Sequence, residues 1–519
     1  MNMKGIIVSL LYLIGLLHWY LFINYNSPTL TFGDWACFHQ IFDVYKQFLL
    51  TWRIPFHATL FASDTLESTC YGTFRFLSIP WIMIPPLMFM LKFFSITMFI
   101  TCQFWLYYTI SFIVVLKWIK KLKLTISASI YLLVLFNFHG ALITKASAGQ
   151  MIWGYMLIPW FLWIIYKFIE NDKPLRSEGL MIMLEFSFLL FFLLLSGDMH
   201  NFYQFVLVGF CVLLFYPGQI LRFISGTFIG VILSAWYFVP NLLFNSYGPS
   251  MLPPEGHWRR YGMLGYGFRN GDSGVPLLEY GRDMSVVRNI LALPINLLNH
   301  VWESLTYSFY PSHGNVWEYN LFVSYLGVVL IIGSLIALFI KYKPLKVGSL
   351  KQYRLLFGAT IIFLLSIGPF NYVLIKSLNY FHAFNPIDAI PSRLMLYPFS
   401  MILLISSLGF DSMFMVFPEK IRLWLKWVVI FILLALLMEH SYQWWFTHAN
   451  AKMDQFHSEF KTTIYDNIDD GFYKTIVIIS YLFSIIMVLS GILIYSCLKW
   501  YNAKRGKVLR LSSLKSKHE

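Results

Sequence analysis

The feature that most constrains the fold is a series of apolar runs, each about 20 residues long, that recur along the chain. A helix of about 20 residues spans the hydrocarbon core of a bilayer, so each run is a candidate membrane-spanning helix. Twelve runs meet this description, at 5–23, 95–116, 124–142, 151–168, 180–197, 200–216, 224–243, 319–341, 355–375, 393–411, 421–440 and 475–498. The sequence therefore predicts an all-α polytopic membrane protein with about 12 transmembrane helices.

The charged residues support this assignment and indicate an orientation. Only 12% of the residues are charged and 58% are hydrophobic, which is too apolar for a soluble protein of 519 residues. The net charge of +14 suggests nucleic-acid binding at first sight, but the basic residues cluster in short connectors between apolar runs. Cytoplasmic connectors carry an excess of Lys and Arg, so we interpret the charge as membrane topology and expect no nucleic-acid partner. These connectors are 117–123, 172–176, 341–354, 418–426 and the tail from Lys499.

A thirteenth apolar run, 76–94, decides how the remaining segments are placed. If this run spanned the membrane, the lysine-rich connector 117–123 would lie outside, against the charge rule. Pro80, Pro85 and Pro86 interrupt the run, as in re-entrant or interfacial helices. We therefore expect it to lie along the outer surface, and 5–23 to be a retained first helix rather than a signal peptide.

This topology predicts a single transmembrane domain, 1–498, followed by a basic cytoplasmic tail, 499–519. Residues 24–94 become a long first outer loop with amphipathic, juxtamembrane helices. Two further outer loops, 244–318 and 441–474, hold many of the acidic residues. The polar groups that could carry chemistry are therefore concentrated on the outer face.

Asp34 is the first candidate site residue, because it follows the first apolar helix directly, where water meets membrane. A carboxylate in this place could act as a general base that removes a proton from an acceptor hydroxyl. Alternatively, Gly-Asp before an amphipathic run is an ordinary helix start, and Asp34 would be an N-cap. The two roles are compatible, and the spacing does not separate them.

Two short outer turns supply further candidates. Asp198 and His200 lie in SGDMHNFYQ, where they could bind a sugar or could simply form the turn between two helices. One Asp and one His are a weak signal for a metal, and we predict none. The turn TKASAGQ places Lys145 and Gln150 on the same face; Lys145 could meet a phosphate or be a snorkelling cation.

Arg393 is the main candidate for phosphate binding. It lies near the first turn of a predicted helix, where a guanidinium and a helix N-terminus both attract an anion. A local ion pair with Asp388 is the alternative, and Arg53 is a second candidate for the same anion. Glu185, inside an apolar run, is expected to form a helix–helix hydrogen bond rather than a proton path.

Read in order, several segments carry a family resemblance. These segments are an acidic residue after the first helix, WRIPFHATLF, the proline-broken RFLSIPWIMIPP, ASAGQMIWGYMLIPWFLW, LSGDMHNFYQ, ILSAWYFVPNLLFNS, EYNLFVSYLGVVLIIGSLI and IPSRLMLYPFSMILLISSLGFD. Their order resembles that of the YfhO-type bacterial membrane proteins of the GT-C glycosyltransferase superfamily, over roughly residues 10–411. O-antigen serotype-converting glucosyltransferases are similar in general plan.

The resemblance implies a GT-C fold, a polyprenyl-phosphate-linked sugar as donor and an extracytoplasmic glycopolymer as acceptor. Asp34 matches the catalytic acid of the first loop, and Arg393 matches the arginine of the late proline-arginine motif. Gly-Gln and Gly-Asp stand at 149–150 and 197–198, where the family often shows Gly-His. We expect the acceptor or sugar to be contacted by His39, Gln150, Asp198 and His200.

Together with the candidate residues, the resemblance implies an inverting glycosyltransferase in the bacterial inner membrane, with its active site on the periplasmic face. Asp34 would be the base, and Arg393, with Arg53 or Lys145, would hold the lipid phosphate. The acceptor would be O-antigen, lipopolysaccharide or a teichoic-acid-like polymer of the cell envelope, and no cofactor is expected. The alternative is a transporter, flippase or accessory subunit for lipid-linked saccharides. It would need polar residues through the middle of the membrane, whereas these gather on one side.

Overall fold

The structure of the protein is a computed structural model that describes a large part of the chain. The described residues are 3–24, 35–52, 56–60, 72–75, 89–148, 152–170, 177–196, 198–244, 321–342, 350–366, 394–444, 462–463 and 471–515.

Within these residues the chain forms α-helices, two short 3₁₀ helices and three short strands. The α-helices are α1 (Met3–Asn24), α2 (Trp35–Leu50), α3 (Ile96–Leu122), α4 (Ile126–Phe138), α5 (Gly140–Ala148), α6 (Ile152–Glu170), α7 (Ser177–Leu195), α8 (Met199–Leu213), α9 (Pro217–Leu233), α10 (Ala235–Phe244), α11 (Ser324–Tyr342), α12 (Leu350–Leu365), α13 (Leu396–Met413), α14 (Glu419–Trp444) and α15 (Gly471–Lys515). The 3₁₀ helices are Phe89–Lys92 and Phe414–Val416, and the strands are β1 (His57–Leu60), β2 (Gly72–Arg75) and β3 (Thr462–Thr463).

The apolar helices confirm a multi-pass α-helical membrane protein. Among the described residues, 9 helical segments are long and apolar enough to cross a bilayer. Each of them falls on one of the predicted runs: Gly5–Asn24, Ile96–Leu122, Ile126–Ala146, Ile152–Glu170, Ser177–Leu195, Ser324–Lys341, Leu396–Val416, Glu419–Tyr442 and Gly471–Asn502.

The other three predicted runs differ from full spans in the described part of the chain. Run 200–216 forms α8, which has 15 residues. Run 224–243 is divided at Ser234 between α9 and α10. Run 355–375 is described only to residue 366, where α12 ends. Nine of the 12 predicted runs therefore form full-length spans within the described residues, and the total of 12 stays a prediction.

The first long connector leaves the helix bundle and returns to it at the same end. The Asn24 side chain donates to Thr101 Oγ1 at 2.8 Å, and the hydroxyls of Tyr12 and Thr109 are 2.8 Å apart. Helices α1 and α3 are therefore antiparallel neighbours, and the end of α1 lies beside the start of α3. This geometry agrees with a non-spanning run at 76–94, of which residues 76–88 lie outside the described part.

We call this end of the bundle the loop end, because a strand pairing joins two long connectors beside it. Strand β1 pairs antiparallel with β2, with Ala58 opposite Phe74, and with β3, with Thr59 opposite Thr463. Strands β1 and β2 belong to the first connector, and β3 belongs to the connector before α15. Most of loop 441–474 and the whole of loop 244–318 lie outside the described residues.

The described basic connectors, 117–123 and 418–426, lie at the opposite end, which we call the basic end. Lys121, in the last turn of α3, forms an ion pair with Glu170 at the end of α6, at 2.7 Å. Asp411, late in α13, forms an ion pair with Lys426 of α14 and accepts a hydrogen bond from Thr125, the N-cap of α4. The ends of these five helices are thereby brought together.

The chain directions of α7 and α15 agree with this arrangement. Ser177, at the start of α7, donates to the side chain of Asn502, late in α15. The helix α15 continues to Lys515, so the predicted basic tail begins as a helical extension. Concentration of basic residues at one end is what the positive-inside rule requires of a multi-pass membrane protein.

Glu185 confirms the predicted helix–helix contact inside the bundle. Its carboxylate accepts hydrogen bonds from Lys167 Nζ and, at 3.3 Å, from Trp160 Nε1, both on α6. The Glu185 side chain is 12% exposed, and the ion pair with Lys167 compensates the loss of hydration. This acid therefore joins α7 to α6.

The topology makes a direct prediction for reporter fusions. Alkaline phosphatase, which is active only outside the cytoplasm, is expected to be active when fused after His200 and inactive when fused after Lys120. The reason is that α8 begins at the loop end, which the charge rule predicts to lie outside the cytoplasm. Lys120 lies near the basic end, which the same rule predicts to lie inside. Phosphatase activity normalised to the amount of fusion protein is the measurement. An active fusion at Lys120 would contradict the non-spanning placement of 76–94.

Candidate functional site

The structure describes the side chains of two predicted site residues, Lys145 and Asp198. For two others, His39 on α2 and His200 in the first turn of α8, only the backbone is described. The remaining four lie outside the described residues: Asp34, Arg53, Gln150 and Arg393. The roles predicted for these six residues stay predictions.

Asp198 is held between two helix N-termini. It is 1% exposed, and it is the N-cap of α8, where Oδ1 accepts from the Asn201 N–H at 3.1 Å. The N–H of Gly154, in the first turn of α6, donates to Oδ2 at 2.6 Å. Both helix dipoles present their positive ends to the carboxylate, which stabilises its charge in a buried position. The predicted turn-forming role of Asp198 is thus seen in these bonds, while sugar binding stays a prediction.

Gly154 allows the two helices to approach closely enough for this contact. A Cβ atom on Gly154 would lie 2.3 Å from Cβ of Asn201, so any larger residue would push α8 away. The close approach also places the Asn201 amide against the carboxylate, with Nδ2 at 3.0 Å from Oδ1 and 2.8 Å from Oδ2. The contact between α6 and α8 therefore depends on both Gly154 and Asp198.

The hydrogen bonds continue from α8 to α13. The Tyr397 hydroxyl lies 3.2 Å from Asn201 Oδ1 and 3.1 Å from Gln204 Oε1, oriented to donate to either oxygen. All these side chains are buried, with Tyr397 fully covered. We call Asp198, Asn201, Gln204 and Tyr397, with the Gly154 N–H, the loop-end polar cluster. It joins the N-terminal parts of α6, α8 and α13, and Tyr397 lies four positions after Arg393 in the sequence.

Lys145 lies in α5 and is only 3% exposed. Its Nζ is 5.6 Å from the centroid of the Tyr155 ring, a distance at which a cation is attracted by the aromatic face. Tyr155 follows Gly154 in α6, so this cation lies beside the loop-end polar cluster. A snorkelling lysine keeps its ammonium group in water, and the burial of Lys145 does not fit that alternative.

Helix α2 covers the start of α3 at the loop end. Its buried face is formed by Phe42, Tyr45 and Phe48, and the ring of Phe42 meets that of Phe99 at 5.2 Å. Lys46 Nζ donates to the Phe94 carbonyl at 3.1 Å and fixes the helix to the chain just before α3. A helix is thus confirmed in the segment predicted to be juxtamembrane, and its position at the membrane surface stays a prediction.

Three residues of the loop-end polar cluster were not among the predicted site residues: Asn201, Gln204 and Tyr397. The spacing of Asp198 and Asn201 suits an N-cap contact, which was a usable signal. Nothing in the local sequence links these residues to Tyr397, almost 200 positions later. Within the described residues no group of three His, Cys, Asp or Glu side chains is placed to hold a metal.

Comparisons of the chain with protein-family models, with curated proteins and with solved structures found no match. The resemblance to the GT-C superfamily therefore stays a hypothesis.

Proposed function

We propose that this chain is an inverting membrane glycosyltransferase of the GT-C type that uses a polyprenyl-phosphate-linked sugar. The observation that carries the proposal is the distribution of buried polar groups. A buried carboxylate, two amides, a tyrosine hydroxyl and a lysine ammonium gather where α6, α8 and α13 begin. They lie at the end of the bundle to which α2, the helix directly after Asp34, belongs.

In the proposed reaction, the Asp34 carboxylate takes the proton of the acceptor hydroxyl. The oxygen of that hydroxyl forms a bond to the anomeric carbon while the bond from this carbon to the phosphate oxygen breaks. The lipid phosphate leaves with the electron pair. Arg393, with Arg53 or Lys145, stabilises the charge that develops on the leaving oxygen.

A lipid-linked donor suits a helical bundle of this kind, since the polyprenyl chain can lie against apolar helices while its headgroup reaches the loop end. The proposed location is the bacterial inner membrane with the loop end on the periplasmic face. The proposed acceptor is a surface glycopolymer such as O-antigen or a teichoic-acid-like chain. No nucleotide is required on that face.

The proposal is tested by identifying the lipid that co-purifies with the protein and by measuring transfer. Mass spectrometry of lipids extracted from the purified protein is expected to show a polyprenyl phosphate carrying one sugar. An unrelated multi-pass protein purified from the same cells in the same detergent is the control. Adding the labelled lipid to membranes should then yield labelled glycopolymer.

Enrichment of the glycolipid without any transfer would favour the transporter or accessory alternative. Recovery of bulk phospholipids alone, at the level of the control protein, would contradict both the glycosyltransferase proposal and the transporter or accessory alternative.

A further inference from the structure

Gln103 is a buried amide whose hydrogen-bonding groups are not used within the described structure. It lies in α3 and is 0% exposed, and neither Oε1 nor Nε2 has a hydrogen-bond partner among the described residues. A buried polar group without a partner destabilises the folded state, so such groups are rare and call for an explanation. No motif in the sequence singled out this residue.

The position of Gln103 connects it to the proposed site. One helical turn before it, Phe99 contacts Phe42 of α2. One turn after it, the ring of Tyr107 lies 5.0 Å from that of Trp153, the residue before Gly154. Along α3, Gln103 thus lies between the turn that contacts α2 and the turn that contacts Trp153, the residue before Gly154 of the loop-end polar cluster.

Tyr107 is a second buried polar residue of α3, one helical turn after Gln103. Its side chain is 1% exposed and its hydroxyl makes no hydrogen bond of ordinary geometry to the described residues. The hydroxyl lies near the Ser196 hydroxyl and the Asp198 carboxylate. The Ser196 hydroxyl itself donates to the carbonyls of Phe192 and Leu193.

We propose that Gln103 and Tyr107 form a binding site for the hydroxyl groups of the transferred sugar. An amide offers both donors and acceptors, as a sugar hydroxyl does, and neither side chain carries the positive charge that would favour a phosphate instead. The aromatic rings of Phe99, Tyr107 and Trp153 supply apolar faces for the C–H groups of a sugar ring. This inference rests on the proposed function, of which it names the sugar-binding residues.

Gln103 is fully covered, so sugar entry requires a neighbouring element to move, and we assign this movement to α2, which packs against α3 one helical turn away at Phe99. Helix α2 is held over α3 by the Phe42–Phe99 contact and by the bond from Lys46 to the Phe94 carbonyl. The unused amide disfavours the closed arrangement, and a sugar that satisfies the amide recovers that free energy on binding. Donor binding is thereby coupled to the helix that follows Asp34.

The test compares lipid phosphates with and without a sugar. The probes are farnesyl phosphate and its glucose, galactose, mannose and N-acetylglucosamine esters, and their dissociation constants are measured on the purified full chain. The unchanged protein is expected to bind at least one glycosylated probe more tightly than bare farnesyl phosphate. Gln103→Leu is expected to reduce this preference about tenfold and to leave binding of bare farnesyl phosphate unchanged.

Thermal unfolding separates loss of binding from loss of folding. Gln103→Leu replaces an unused amide by an apolar side chain of similar size, so its Tm is expected to equal or exceed that of the unchanged protein. Tyr107→Phe should also reduce the sugar preference. Its control is Tyr131→Phe, a buried tyrosine in α4 whose hydroxyl lies 3.3 Å from Ser406 Oγ and which should leave the preference unchanged.

Three results would overturn the inference. They are equal binding of bare and glycosylated probes by the unchanged protein, equal weakening of both by Gln103→Leu, and a sugar preference that Gln103→Leu leaves intact. The proposed function fails separately, when the unchanged protein binds a glycosylated probe with this preference yet transfers no sugar in membranes.

Discussion

Asp34→Asn is expected to lower the rate of sugar transfer by about 10²–10⁴-fold, the usual contribution of a general base. Asparagine cannot take a proton from the acceptor hydroxyl. It is, however, as good an N-cap as aspartate, and Asp34 immediately precedes Trp35, the first residue of α2. The substitution therefore removes the chemistry while it preserves the helix start, and this separates the two roles that the sequence left open.

The measurement is transfer of labelled sugar in membranes that contain equal amounts of the unchanged and altered protein. Asp43→Asn is the matched control, because Asp43 lies in the same helix and accepts only a local bond from Gln47, at 2.7 Å, within the described contacts. Surface glycosylation should vanish in the Asp34 variant while the polyprenyl-phosphate sugar accumulates. Transfer at nearly the original rate would make Asp34 a helix cap and move the transporter or accessory alternative ahead.

Asp198→Ala is expected to lower the free energy of unfolding by about 3–5 kcal/mol, because α8 loses its N-cap and several buried donors lose their acceptor. The donors that lose their acceptor are the Gly154 N–H, the Asn201 N–H and the Asn201 amide. Asp198→Asn keeps one acceptor oxygen and should have an intermediate effect. The loss should spread to α13, since the Asn201 amide also accepts from Tyr397.

Unfolding free energies in detergent or bicelles are the measurement. Asp43→Ala, a partly exposed aspartate outside the bundle core, is the control and should change stability by less than about 0.5 kcal/mol. If Asp198→Ala were as stable as the control but had lost transfer, its carboxylate would be a substrate ligand, as the alternative interpretation of SGDMHNFYQ proposes.

The sequence by itself determined the class of the protein and the positions of most helices. Runs such as 95–116 and 475–498 have no stable alternative to a helix in a bilayer, because every backbone N–H and C=O must be satisfied within the segment. The clustering of lysines in 117–123 indicates which end of the helix bundle faces the cytoplasm. The ion pairs of Lys121 and Asp411 show that connectors 117–123 and 418–426 lie at the same end of the bundle.

The hydropathy of run 224–243 did not predict that the run forms two helices. It reads as one continuous apolar helix, but the chain turns at Ser234, and the Trp236 N–H in the first turn of α10 donates to Ser484 Oγ of α15 at 2.9 Å. The partner lies 248 positions away in the chain. The break is stabilised by this tertiary contact, which hydropathy does not encode.

Only the tertiary structure decided which polar side chains meet at the loop end. Asp198 was visible in the sequence as a turn residue, but its bond to Gly154 depends on how closely α6 and α8 approach. Gln103 was not among the predicted site residues, and only its burial shows an amide without a partner among the described residues. Hydropathy reports the free energy of each segment in lipid, whereas these contacts depend on the rotation and spacing of helices, which side-chain packing sets.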